Sequence, residues 1–211
     1  LFSSGVAYRV YGGLRFFERQ EVKHALAYLR LIANPDDDTA FTRVVNFPTR
    51  GIGARSLEAL QDAARTWNTP LYQTVPHLAG KPGAALGQFV ALIERLRHET
   101  IELPLHETVD HVIEMSGLRG HYQLEKEGQE RLENLDELIN AAANFSAEVG
   151  AGQAPGEAPS EPGSVLAEFL AHASLEAGDH QADAGSDAVQ LMTVHAAKGL
   201  EFDVVFLSGL E

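Results

Sequence analysis

The stretch from residue 189 to residue 209, VQLMTVHAAKGLEFDVVFLSG, places two largely apolar runs on either side of a short polar turn. Val189–Val194 and Val204–Leu207 are rich in β-branched residues, which is typical of strands in a parallel sheet covered on both faces. Ligands gather at the carboxyl ends of such strands, and the turn offers hydroxyl, imidazole, ammonium and carboxylate groups there. The residues of this candidate site are Thr193, His195, Lys198, Gly199 and Glu201. An ordinary polar surface turn is the alternative that these residues leave open.

Most of the remaining chain has the periodicity of amphipathic helices, with apolar residues recurring at spacings of three and four. Helices are predicted over residues 18–32, 56–67, 83–101, 104–115, 131–145 and 165–174. A short strand is predicted over Ala7–Tyr11, and Asp36–Asp38 is interpreted as a solvated turn that caps a helix. Residues 147–163 are rich in Gly, Ala, Pro and Glu, and they are predicted to form a mobile loop because they cannot bury enough apolar surface to offset their ordering entropy. The expected fold is therefore mainly α, with a few strands at the two ends of the chain.

Composition argues against several classes of protein. The 211 residues include no cysteine, which excludes disulfides and thiolate metal sites and fits a reducing compartment. No apolar run approaches the roughly 18 residues that a membrane span requires, and no signal peptide is readable, so no membrane partner is expected. The histidine pairs lack the spacing of a helical metal site, and Asp36–Asp38 lacks the pattern of a calcium loop. No metal site is predicted.

Charge is distributed unevenly along the chain. The formal net charge is -14, which by itself argues against nucleic-acid binding. Residues 1–66 nevertheless carry nine Lys or Arg against seven Asp or Glu, whereas residues 67–211 carry seven against twenty-three. Any DNA-binding surface is therefore expected in the first third, and the acidic remainder is expected to be a solvated face.

The best candidate for contact with DNA is the segment Thr49-Arg50-Gly51-Ile52-Gly53-Ala54-Arg55, directly before a predicted helix. The glycines on both sides of Ile52 let the backbone approach a partner closely, and the helix N-terminus offers free amides and a partial positive charge. Arg43, Arg50 and Arg55 would add contacts to phosphates without reading sequence. A tight loop that only caps the helix is the alternative, since a short Gly-x-Gly is common.

Several stretches resemble the superfamily 1 DNA helicases of the UvrD, PcrA and Rep group. The residues from Gln190 through Phe202 resemble motif V of that group position by position. The other similar stretches are Val10–Lys23, Ala27–Asp36, Asn46–Gly53 and Arg131–Leu138. The resemblance covers nearly the full chain and is weakest between residues 147 and 163.

The resemblance implies a division of the chain into three parts. Residues 1–12 and 187–211 would belong to the second RecA-like domain (2A), and residues 13–186 would form the helical 2B subdomain inserted into it. Gly12 and Gly13 would be the hinge about which 2B swivels, because adjacent glycines absorb large changes in φ and ψ. A simple turn is the commoner reason for such a pair.

The resemblance also implies roles for individual residues. Gly51, Ile52 and Gly53 would grip duplex DNA ahead of the fork, and Thr193 and His195 would contact the phosphates of the single strand. Glu201 would accept a hydrogen bond from the ribose of ATP, while Lys198 would supply charge and Gly199 would permit the turn. Arg15 and Arg19 are weaker candidates for DNA contact, since either can pair with Glu18 or Glu21 instead.

No Gly-x-x-x-x-Gly-Lys-Ser/Thr phosphate loop occurs in the sequence. The chain is therefore expected to be a fragment that does not hydrolyse ATP alone. The resemblance implies an intact ATP-dependent 3′ to 5′ DNA helicase in the bacterial cytoplasm and nucleoid, with ATP and Mg²⁺ as cofactors and repair proteins as further partners. Two alternatives stay open: a non-catalytic autoinhibitory or protein-interaction module, and a helicase fused to a nuclease.

Overall fold

The computed structural model describes residues 8–11, 16–126, 128–152, 162–177, 189–192 and 201–207. Within these residues, helices predominate and two short strands pair near the two ends of the chain. The helices are α1 (Gln20–Ala33), α2 (Asp38–Val44), α3 (Ala54–Trp67), α4 (Leu71–Thr74), α5 (Gly80–Glu99), α6 (Leu105–Met115), α7 (Leu118–Gln123), α8 (Gly128–Gly152) and α9 (Pro162–Glu176). The strands are β1 (Tyr8–Tyr11) and β2 (Val189–Met192). The expected mainly α fold is confirmed.

Helix α1 lies at the centre of the helical body. It packs against α2, α5, α6, α8 and α9, and it buries side chains on all sides, including Val22, Tyr28, Leu29 and Leu31. A helix that buries side chains nearly all round belongs in a core rather than at a surface. Asn34 ends the helix because Pro35 disfavours helical backbone in the residue before it.

Two aspartates connect α2 to its surroundings. Asp37 is the N-cap of α2, and its side chain accepts a hydrogen bond from the Ala40 amide at 2.9 Å. Asp38 accepts from the Leu71 amide at 2.8 Å and so joins α2 to the start of α4. The interpretation of Asp36–Asp38 as a helix-capping turn is confirmed.

The two strands form a parallel pair, with Tyr8 opposite Val189 and Tyr11 opposite Met192. The chain therefore enters the helical body after β1 and leaves it before β2, which is the neighbouring strand. The predicted strand over Val204–Leu207 is wrong: this stretch is irregular and its side chains are exposed. A strand needs a neighbour for its backbone hydrogen bonds, and among the described residues the sheet contains β1 and β2 alone.

The predicted boundary between α8 and the following loop also differs. Helix α8 continues to Gly152, so the first six residues of the predicted loop at 147–163 are helical. An established helix gains one hydrogen bond for each residue added and stops readily only near a breaker, and here the next proline is Pro155. Residues 153–161 lie outside the described part of the chain. No helix of the described residues is long and apolar enough to cross a membrane.

Candidate nucleic-acid interface

The loop between α2 and α3, residues 45–53, is folded tightly around one asparagine. The side-chain oxygen of Asn46 accepts from the amide of Arg50 at 2.9 Å and from the amide of Ile52 at 3.1 Å. Ile52 is only 4% exposed and anchors the loop in the core. The backbone of the 45–53 loop is thus held from within, while Thr49 faces solvent.

Gly51 and Gly53 border Ile52 and are both exposed. A Cβ atom built on either glycine would meet no heavy atom within 4 Å, so neither is required by packing inside the protein. Gly51 has a φ of +73°, a conformation that side chains disfavour. Gly53 has a φ of -81° and a ψ of 170°, which any residue can adopt. The open space beside both glycines lets a partner approach the backbone closely.

The N-terminus of α3 lies at the end of this loop. Gly53 is the N-cap, and its carbonyl accepts from the amides of Ser56 and Leu57 at 3.0 and 3.3 Å. The amides of Ala54 and Arg55 precede those bonds in the first helical turn, where no intrahelical acceptor exists. The Arg55 side chain is exposed at the same end. Backbone amides, the positive end of the helix dipole and an exposed arginine therefore belong to the same end of α3, a combination that suits an anion.

Arg50 occupies a different environment from Arg55. Its guanidinium points into the helical body and donates to the carbonyl oxygens of Pro48 at 2.8 Å, Val44 at 3.3 Å and Ser116 at 2.7 Å. Its basic character and its place beside Gly51 predicted a phosphate contact for Arg50. The structure brings its backbone to the loop surface but directs its charge at protein carbonyls.

His24 packs against Phe47 of the 45–53 loop. Its ring stacks on Phe47 with the centroids 3.8 Å apart, and its Nδ1 lies 2.8 Å from the hydroxyl oxygen of Tyr122. Burial lowers the pKa of His24 to about 4, and the nearby side chains of Arg43, His121 and Arg131 act in the same direction. The histidine is therefore neutral at ordinary pH and serves as a packed polar side chain beneath the loop.

A shallow cavity of about 220 Å³ between α1, α2 and α9 carries further positive charge. Lys23, Arg30 and Arg43 line it, together with Glu18 and Thr39. Sequence analysis did not single out Lys23 or Arg30, because a lysine or arginine within an amphipathic helix gives no signal of its own. Arg30 is already engaged, since it donates to the Ser174 hydroxyl at 2.6 Å.

Arg19, a weaker candidate for DNA contact, belongs to a polar cluster between α1 and α8. It donates to the side-chain oxygen of Asn134. Asn134 in turn donates to the carboxylate of Glu21 at 2.7 Å, and Arg131 donates to the other oxygen of that carboxylate at 3.2 Å. Glu21 is only 4% exposed. A buried carboxylate needs such partners, so Arg19 has a structural explanation in the protein itself.

The candidate site in the turn after β2 is described only in part. Glu201 is exposed. The remaining predicted residues of that turn, Thr193, His195, Lys198 and Gly199, lie outside the described part of the chain, as do Gly12, Gly13 and Arg15. In the described ranges, no group of three or more His, Asp or Glu side chains is arranged to hold a metal ion.

Comparison with known proteins defines the class of this chain. All of it, residues 1–211, matches the family described as the UvrD-like helicase C-terminal domain, and the chain belongs to that family. It is 49% identical over 219 residues to DNA helicase II of Escherichia coli K12 and 39% identical over 224 residues to the ATP-dependent DNA helicase PcrA of Bacillus subtilis 168. Each alignment covers 100% of this chain and 29% of the relative. The chain thus spans less than a third of the length of these relatives, and the resemblance noted from the sequence is confirmed.

Proposed function

We propose that this chain is the part of an ATP-dependent 3′ to 5′ DNA helicase that holds duplex DNA through the 45–53 loop and the N-terminus of α3. The observation that carries the proposal is the exposed pair Gly51 and Gly53, which have open space beside them and lie directly before the first amides of α3 and the exposed Arg55 side chain. Phosphate oxygens accept hydrogen bonds from backbone amides at helix N-termini, and a nearby arginine strengthens the contact. Such contacts fix the position of a duplex without reading its sequence.

Electrostatics supports the choice of this end of the molecule. The first 66 residues carry a slight excess of positive charge although the whole chain is strongly acidic. Arg43 and Lys23 line the cavity beside α2 and extend the positive surface beyond the loop. Phosphate binding that is concentrated in a basic patch is strong at low salt and weakens steeply as salt rises.

The adjacency of β1 and β2 supports the further proposal that the helical body is a subdomain that rotates as one unit. A helical body that is joined to two neighbouring strands can rotate as a unit about the place where it joins them. In this scheme, residues 13–186 are the 2B subdomain and Gly12 and Gly13 are its hinge. Residues 1–12 and 187–211 then belong to the second RecA-like domain.

The turn after β2 would complete the proposed helicase. Thr193 and His195 are proposed to contact single-stranded DNA, and Glu201, with Lys198 and Gly199, to contribute to the ATP site. ATP with Mg²⁺ would supply the energy for stepping when the rest of the motor is present. The chain itself contributes duplex binding, regulation and one side of the nucleotide site.

Titration of the 211-residue chain with a duplex that carries a single-stranded tail tests the proposal. We expect binding at low salt that weakens steeply toward physiological salt. Arg55→Ala is expected to weaken binding several-fold and to reduce the slope of log K against log salt by about 0.9, the value for one lost phosphate contact. Arg65→Ala is the matched control, because Arg65 is an exposed arginine near the other end of the same helix, roughly 15 Å away. It should leave both quantities unchanged.

A second candidate function, a protein-interaction or autoinhibitory module, is favoured by the acidic face of α6 and α8. Asp110, Glu114 and Asp136 are all at least half exposed although they share one cation, Arg119. Such a face repels DNA and suits a basic protein partner. Absence of duplex binding even at low salt would reject the proposed function and favour this one.

A further inference from the structure

The Arg50 guanidinium is the central contact of the 45–53 loop. Its Nη1 donates to the carbonyl oxygens of Val44 and Pro48, one on each side of the Phe47 bend, and its Nη2 donates to the carbonyl of Ser116 at 2.7 Å. Two of these acceptors belong to the segment around the loop, and the third lies 66 residues further along the chain. One side chain thus fixes the curvature of the loop and attaches it to the turn between α6 and α7.

The same guanidinium lies against two buried aromatic rings. Its central carbon is 5.7 Å from the centroid of the Tyr28 ring and 5.6 Å from that of the Phe89 ring, and both side chains are fully buried. Cations at this distance over aromatic faces are stabilised, more so where water is excluded. A planar group with several N–H donors can satisfy three carbonyls and two rings together, whereas the single ammonium of a lysine cannot.

The turn that carries Ser116 lies close to the 45–53 loop. Gly117 follows Ser116 with a φ of +83°, and the position that a Cβ of Gly117 would take lies 3.8 Å from the ring of Pro48. The loop and the turn are therefore joined by the Arg50 hydrogen bond and lie close together at Pro48 and Gly117. Neither contact involves the open sides of Gly51 and Gly53.

We propose that Arg50 is a positioning residue, which holds the 45–53 loop in its DNA-binding shape before DNA arrives and does not itself contact phosphate. This inference rests on the proposed duplex-binding function of the loop. A loop that is already ordered loses less conformational entropy on binding, so preorganisation raises affinity without adding a contact. The Arg50 guanidinium donates its hydrogen bonds to protein carbonyls, while the exposed Arg55 side chain remains available for the phosphate.

A pair of arginine-to-lysine variants separates positioning from phosphate contact. Arg65→Lys is the control, because Arg65 is exposed near the other end of α3, and it is expected to keep the duplex dissociation constant within about twofold. Arg50→Lys is expected to raise it about tenfold or more, since the hydrogen bonds that a charged group makes in the protein are lost. The salt slope should stay at the wild-type value in Arg50→Lys and in Arg50→Ala, because no phosphate contact disappears.

The outcomes on both sides are distinct. Wild-type affinity in Arg50→Lys would overturn the proposal, because the loop would then not depend on the arginine. A slope lowered by about 0.9 in Arg50→Ala would show that Arg50 contacts phosphate and would also overturn it. Melting temperatures by circular dichroism check that each variant retains its helical body.

Hydrogen exchange of the unmodified chain provides a test that does not depend on variants. The proposal predicts slow exchange of the Arg50 and Ile52 amides, which donate to Asn46, in the absence of DNA. Rapid exchange that slows only after DNA is added would overturn it. If the unmodified chain binds no duplex but these amides are protected, and the protection is lost in Arg50→Lys, the proposed function fails while the positioning role of Arg50 in the fold stands.

Discussion

Alanine substitution at Gly53 and at Gly51 should separate the needs of the loop from the needs of its partner. At Gly53 the backbone angles suit alanine, and the new Cβ meets no atom within 4 Å. Alanine is a poorer N-cap than glycine by roughly 0.5–1 kcal/mol, but it restricts the unfolded chain by about 0.4–1 kcal/mol. These effects nearly cancel. The free energy of unfolding of Gly53→Ala should therefore stay within about 0.5 kcal/mol of the parent value.

Gly51→Ala differs because of its backbone rather than its surroundings. The φ of +73° costs a residue with a Cβ about 1–2 kcal/mol, and the space around Gly51 is equally open. After the same gain from the unfolded chain, we expect Gly51→Ala to lower the free energy of unfolding by about 1 kcal/mol. Urea denaturation followed by circular dichroism measures both values.

Duplex binding by Gly53→Ala should weaken although the stability of this variant is nearly unchanged. A methyl group on Gly53 stands where a phosphate would approach the first amides of α3, so the loss of one charge-assisted hydrogen bond, about 1.5 kcal/mol, predicts roughly tenfold weaker binding. Fluorescence anisotropy with a labelled tailed duplex measures the dissociation constant. Binding of Gly53→Ala within twofold of the parent would refute the close approach of the backbone to DNA. A loss of more than about 2 kcal/mol in its unfolding free energy would instead mean that Gly53 is required for packing.

Three further predictions concern the rest of the chain. Because the pKa of His24 in the folded protein, about 4, lies below its ordinary value of 6.5, the unfolded chain binds the proton first as the pH falls. The stabilisation from neutral His24 should thus be full above pH 6.5 and decline between pH 6.5 and 4, by at most about 1.4 kcal/mol per pH unit, and urea titrations of His24→Gln should lack that decline. Asn134→Ala should lower the free energy of unfolding by about 2–3 kcal/mol, since it removes a partner of the buried Glu21 carboxylate, whereas Asn140→Ala at an exposed position of α8 should change it by less than about 0.5 kcal/mol. The 211-residue chain should release no phosphate from ATP above background, with or without single-stranded DNA, because it has no phosphate loop, and any stimulated release would contradict that reasoning.

The helices that could be predicted from the sequence are those with several turns of amphipathic pattern. Helices α1, α3 and α8 repeat the pattern often enough to be recognised, although α8 extends beyond its predicted end. Helices α4 and α7 span only four and six residues, which is too short for a periodic signal. Val204–Leu207 shows the converse limit. Its apolar composition predicts burial, but strand formation depends on a neighbouring strand that composition does not reveal.

The candidate site could be located from the sequence, but its internal contacts could not. Glycine spacing before a helix singled out residues 49–55, which overlap the 45–53 loop, because that signal is local. The destination of the Arg50 side chain depends on Ser116 and Phe89, which are distant in sequence, so its basic character alone suggested phosphate contact. Asn46 is a local signal that could have been used, since asparagine side chains often accept from amides a few residues ahead.

Helix α1 joins the proposed hinge to the proposed DNA contact. Glu21, His24 and Tyr28 lie three and four residues apart and therefore on one face of the helix. Glu21 bonds to Asn134 of α8, His24 stacks on Phe47, and Tyr28 donates to the Phe47 carbonyl.

This face begins at Glu21, shortly after the proposed hinge glycines in the sequence. It ends at Tyr28, which contacts the 45–53 loop. Packed interiors transmit rotation because they do not deform continuously. If the helical body swivels about that hinge, the loop must turn with α1 through the same angle. Orientation of the duplex relative to the motor would then be set by the hinge alone, with no separate motion of the loop.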